Sequence, residues 1–125
     1  MRQHFGGEKA KGNQKLIVGP WPHGPAKKIG DLTLRDNFLQ VDFNKQSLRF
    51  LEHWMTGVDN GIMKEPAVSY YTLGDVDDPK APGNEWRTAD DWPPVPTEAT
   101  NFYLAEDGRL TGEAPTAEKS SRTFT

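Results

Sequence analysis

The apolar residues of this chain change their spacing part-way along it. Leu16-Ile17-Val18 is a short unbroken apolar run, and together with Lys15 it reads as a buried strand. The strand ends at Gly19-Pro20, because proline has no N–H to give to a ladder and glycine tolerates a sharp turn. Trp21-Pro22-His23-Gly24-Pro25 then forms a loop at the C-terminal end of that strand. Residues 27–42 show no regular period. Beyond them Leu48, Leu51 and Met55 fall at helical spacing, widened by Phe50 and Trp54, which predicts an amphipathic helix from Lys45 to Thr56. Asn44 is its predicted N-cap, with Phe43 stapled onto Leu48, and Gly57 its predicted C′ residue.

After Asp59-Asn60-Gly61 the pattern becomes that of β-structure. Ala67 to Leu73 is rich in Val, Tyr and Thr and predicts a strand. Phe102-Tyr103-Leu104 and Arg109-Leu110-Thr111 flank Asp107-Gly108 as the arms of a hairpin. Between them, Asp75 to Thr100 has no periodicity and is expected to be a long loop bearing Pro, Asp and Trp. Met1 to Gln14 is polar and is expected to be a helix tail and turn, and Ala114 to Thr125 is a polar tail without a closing element. An α/β segment thus gives way to a β segment that has barely begun. Two unlike layers, each unfinished, predict a domain junction between residues 1–61 and 62–125 of an incomplete fold.

Composition supports that view. Only 34% of the 125 residues are apolar, and 10 Pro with 12 Gly interrupt regular structure, so a self-contained core would be thin. Fifteen Lys and Arg against 18 Asp and Glu leave a net charge of −3 with no basic block, which gives nucleic-acid binding no electrostatic support. The absence of cysteine removes disulfides and thiolate chemistry. The segment after Met1 has no apolar core of signal-peptide type, and no window is long enough to span a bilayer, so no membrane partner is expected and the compartment stays open.

The chemistry rests on His23. Taken by its residues alone, the loop is first of all an ordinary turn with a histidine in it. The alternative is a general base: an imidazole just past a buried strand, stiffened by two prolines and a tryptophan, is how an α/β-hydrolase presents the group that deprotonates its serine. Lys15 to His23 resembles the strand and Gly-Pro-Trp-x-His loop that end the catalytic domain of the cocaine-esterase and X-Pro dipeptidyl-peptidase-like serine hydrolases. Further similarities follow in order. Phe50, Trp54 and Gly57 resemble the terminal helix of that family, and Pro66 to Gly74, Glu85-Trp86-Arg87 and Asp91-Trp92-Pro93 the opening of its C-terminal jelly-roll domain. Phe102 to Leu104 with Asp107 to Leu110 is similar to the hairpin that follows.

The resemblance implies the end of an α/β-hydrolase domain joined to the start of a β-sandwich. It also implies that His23 is the base of a Ser-Asp-His triad acting on a small ester, amide or X-Pro peptide, with no cofactor or metal. The departures are equally plain. None of Ser47, Ser69, Ser120 or Ser121 lies in a Gly-x-Ser-x-Gly elbow, and Met1 to Gln14 holds no Asp to serve as the acid. The nucleophile and acid are therefore expected outside the chain. A noncatalytic β-rich binding module is the competing reading.

Other candidates read more simply as structure. His4 and His53 lack a second ligand at metal-binding spacing and are expected at the surface or on a helix edge. Asp75, Asp77 and Asp78 lack the glycine and closing glutamate of a calcium loop. Trp86 and Trp92 are expected to pack and anchor their loop rather than stack on a ligand.

Overall fold

The computed structural model describes residues 7–105 and 107–116. They fall into two compact units, residues 1–95 and 96–125. The first is organised by a three-stranded sheet of order β1-β4-β5, built from β1 (Leu16–Val18), β4 (Val68–Thr72) and β5 (Glu85–Ala89). β1 runs parallel to β4 with Leu16 opposite Val68 and Val18 opposite Tyr70. β5 runs antiparallel to β4 with Trp86 opposite Tyr71. The small hairpin of β2 (Lys28–Ile29) and β3 (Leu32–Thr33) precedes a 3₁₀ turn at Asp36–Leu39, in the stretch that shows no period in the sequence. Two-residue strands are too short to leave a periodic trace. The core is small: Leu34, Phe38, Ile62, Ala67, Val68 and Tyr71 are its buried apolar residues.

The long helix α1 covers Phe43–Thr56, so it begins two residues before the expected start. Its N-cap is Asp42 and not Asn44: the Asp42 carboxylate accepts a hydrogen bond from the Lys45 N–H at 3.0 Å. An ionised carboxylate satisfies an orphan helix donor and also faces the positive end of the macrodipole, which is why it wins over the nearby amide. Asp42→Ala should therefore destabilise the fold by about 1 kcal/mol, seen as a lower urea midpoint at unchanged slope. At the other end Gly57 takes the left-handed conformation, φ 76°, and its N–H caps the His53 carbonyl at 3.0 Å. The apolar stripe of α1 is largely uncovered, with Leu48 68% and Met55 79% exposed. The helix is fastened instead by polar contacts. Asn60 donates to the Arg49 carbonyl and to Glu52, both at 2.8 Å, and Arg49 pairs with Glu65 at 2.7 Å.

β5 lies inside the stretch expected to be loop, and that expectation is corrected. Glu85-Trp86-Arg87-Thr88-Ala89 is short and bears charge at two positions, so it shows neither alternation nor an apolar run. Its pairing with β4 is set by the turn before it. Asn84 is a buried polar residue, 3% exposed, held in the left-handed region at φ 56°. Its amide oxygen accepts from the Gly74 N–H at 3.2 Å, its amide nitrogen donates to the Asp75 carbonyl at 2.8 Å, and its own N–H donates to the Thr72 carbonyl at 2.6 Å. Asn84→Ala should cost about 2–4 kcal/mol, because it orphans buried groups and puts at a left-handed position a residue that tolerates it less well than asparagine. Asn84→Gly should recover about 1 kcal/mol of that in the same denaturation experiment, since it removes only the steric part.

The second unit contains the predicted hairpin. β6 (Tyr103–Leu104) pairs antiparallel with β7 (Leu110–Thr111), and Asp107 turns the chain by accepting from the Arg109 N–H at 3.1 Å. Where a helix tail and turn were expected before β1, the described residues from Gly7 onward form a turn and no helix, with the Ala10 N–H donating to the Gly7 carbonyl at 2.8 Å. Expectations for residues 1–6 and 117–125, His4, Ser120 and Ser121 among them, lie outside the described residues.

Candidate catalytic histidine loop

The loop that carries His23 starts where β1 stops at Val18. A Cβ at Gly19 would strike the six-membered ring of the Trp21 indole, so glycine there is what lets Trp21 fold back over the strand end. Trp21 then meets Trp86 on β5, with ring centroids 5.6 Å apart and planes tilted by 49°. Trp86 is held on two further sides. Tyr71, its partner across β4 and β5, packs edge-on at 5.5 Å, and the Trp86 indole N–H donates to the Asn37 carbonyl at 2.9 Å. Asn37 is itself pinned by two hydrogen bonds. Its Oδ1 accepts from the Tyr71 hydroxyl at 2.9 Å, and its Nδ2 donates to the Asn84 carbonyl at 2.9 Å. Burial pushes the Tyr71 phenol above its ordinary pKa, which keeps it the donor in this bond.

His23 stands two residues beyond Trp21 and is exposed. Among the described residues its ring has no hydrogen-bond or ion-pair partner. An accessible imidazole on a tethered loop is sterically free to face a reacting group brought by other segments. The described serines are placed otherwise. Ser47 lies within α1 and Ser69 within β4, and neither position is the strand-to-helix elbow that exposes a nucleophile. Both line a groove of about 430 Å³ between β1 and α1, together with Leu16, Phe43, Phe50 and Ile62, and His23 is not part of that lining.

The remaining candidates are structural. His53 Nδ1 lies 2.9 Å from the Val58 carbonyl, and its ring meets Trp54 edge-on at 5.2 Å, which fits a helix-edge histidine. Asp75 and Asp78 each accept from a backbone N–H two residues on, at 2.9 and 2.8 Å, and so spend a carboxylate oxygen on the turn. No cluster of three or more potential metal ligands occurs among the described residues. Trp92 packs edge-on against Tyr70 at 6.0 Å, so both loop tryptophans serve packing as expected. Asn37, Asn84 and Tyr71 were not legible as members of this assembly. Gly83-Asn84 is the one local signal, since asparagine tolerates the left-handed conformation better than most residues.

A family model described as the X-Pro dipeptidyl-peptidase C-terminal non-catalytic domain matches residues 60–123, just over half of the chain. The chain belongs to that family. Two mycobacterial proteins named as candidate serine esterases, one from Mycobacterium bovis and one from Mycobacterium tuberculosis, are each 34% identical to it over 108 residues. The match covers 85% of this chain and 15% of each relative, so the chain spans less than a sixth of the length of the curated relatives it matches. No solved structure matches it. Small mixed sheets with one helix agree with a β-rich C-terminal domain of this family. No helix among the described residues is long and apolar enough to cross a membrane.

Proposed function

We propose that these residues belong to a serine hydrolase in which His23 is the general base of a Ser-Asp-His triad, the serine and the acid being supplied by other segments of a longer chain. The observation that carries the reading is the loop itself. An exposed imidazole follows a strand that pairs in parallel, and the tryptophan two residues before it is held on a half-buried aromatic cluster. The names of the mycobacterial relatives support serine-ester chemistry. A match covering 85% of the chain must also take in the His23 loop, wherever it begins.

In this reading residues 1–61 end an α/β-hydrolase domain and residues 62–125 begin a β-sandwich. The parallel pair of β1 with β4 then bridges the seam between them. The histidine takes the proton of the serine hydroxyl during attack on an ester, amide or X-Pro peptide carbonyl, and returns it to the leaving group. Labelling of the longer protein with a fluorophosphonate probe tests this. A single labelled serine in a Gly-x-Ser-x-Gly context is expected, with labelling strongly slowed in His23→Ala. Equal labelling of the variant would refute the assignment.

A further inference from the structure

The strongest unassigned feature is the connection from the β4–β5 hairpin to the histidine loop. The matched family segment, residues 60–123, is described as non-catalytic, and His23 lies outside it. Tyr71, Asn84 and Trp86 all lie inside it, and the one aromatic partner of Trp21 among the described residues is Trp86.

We infer that Trp86 is a positioning residue for the His23 base, so that the segment described as non-catalytic sets the geometry of the catalytic loop. This rests on the function proposed above.

The physical case is a chain of contacts in which each member is fixed by the next. β4 is the central strand of the sheet, with Val68 fully buried and Tyr71 nearly so. Tyr71 meets the Trp86 ring at 79°, close to the edge-on arrangement that aromatic quadrupoles favour. The indole N–H bond to the Asn37 carbonyl fixes the rotation of that ring, because a donor with one direction has one good orientation. Asn37 cannot drift, since its amide is held from both ends by Tyr71 and Asn84. The Trp86 ring is therefore held in place. Trp21 rests on it, and only Pro22 separates Trp21 from His23. Proline holds φ near one value, so the position of Trp21 passes on to His23 with few free torsions. A general base works only within hydrogen-bond reach of its proton, and a misplacement of about 1 Å can cost on the order of 100-fold in rate.

Two measurements test the inference together. In the 125-residue chain, a nuclear Overhauser contact between the Trp21 and Trp86 indole protons reads the clamp with no reference to catalysis. It is expected in the wild type and lost in Trp86→Leu. In the longer enzyme, Trp86→Leu should lower kcat about 10- to 100-fold with KM little changed. Trp86→Phe, which keeps a ring against Trp21, should restore most of that loss. Trp92→Leu removes a tryptophan packed on Tyr70 instead, and should lower the melting temperature without the fall in kcat. A missing Trp21–Trp86 contact overturns the inference and leaves His23 as base, as does a Trp86→Leu enzyme whose kcat falls no further than that of Trp92→Leu. Full activity of His23→Ala removes the proposed function and the positioning role with it. If Trp86→Leu does not fold, the ring-keeping Trp86→Phe with Trp21→Leu gives the same comparison from the loop side.

Discussion

In the longer enzyme, His23→Ala should lower kcat by about four powers of ten while KM moves little. Each tenfold loss is about 1.4 kcal/mol of barrier, so the substitution is expected to remove about 5.5 kcal/mol of transition-state stabilisation. The size follows from what the imidazole does. A serine hydroxyl at neutral pH is a poor nucleophile, and only a base in contact with it during attack makes the step fast. Ground-state binding uses other surfaces, which is why KM should be spared. Structure outside the loop should be spared too, because His23 is exposed and has no hydrogen-bond or ion-pair partner among the described residues. Steady-state kinetics on an activated ester, with the melting temperature of each protein measured alongside, decides the matter. A variant that kept more than about a tenth of wild-type kcat would show that His23 is not the base.

The 125-residue chain alone should show no ester turnover above that of its histidines free in solution. Neither described serine is placed for His23 to activate: Ser47 is in the body of α1 and Ser69 is the second residue of β4, both lining the groove between β1 and α1. A side chain in either place lacks the sharp turn that lifts a nucleophile clear of its element. Incubation with a p-nitrophenyl ester should therefore give a linear trace with no burst for wild type and for His23→Ala, the variant losing no more than the share of one free histidine. A burst of product stoichiometric with protein and abolished by His23→Ala would place a working nucleophile within these residues and overturn the division of the triad proposed above.

What the sequence determined by itself was whatever local chemistry dictates strongly. The run Leu16-Ile17-Val18 cut off by Gly19-Pro20 has one reading, and β1 is found there. The 3.6-residue spacing of Leu48, Leu51 and Met55 with Gly57 behind it fixed α1 and its left-handed end, and Asp107-Gly108 marked the hairpin of β6 and β7. The helix start was misplaced because Asp42 and Asn44 are both good caps, and only the backbone path decides which side chain reaches a free N–H. Tertiary structure alone decided β5. Its five residues have no period of their own and become a strand because Asn84 turns the chain back on β4, a turn held by hydrogen bonds to residues nine to twelve positions earlier. It also decided the partner of the histidine loop. Trp21 and Trp86 are 65 positions apart, and no local preference encodes a contact that exists only after β1, β4 and β5 have paired.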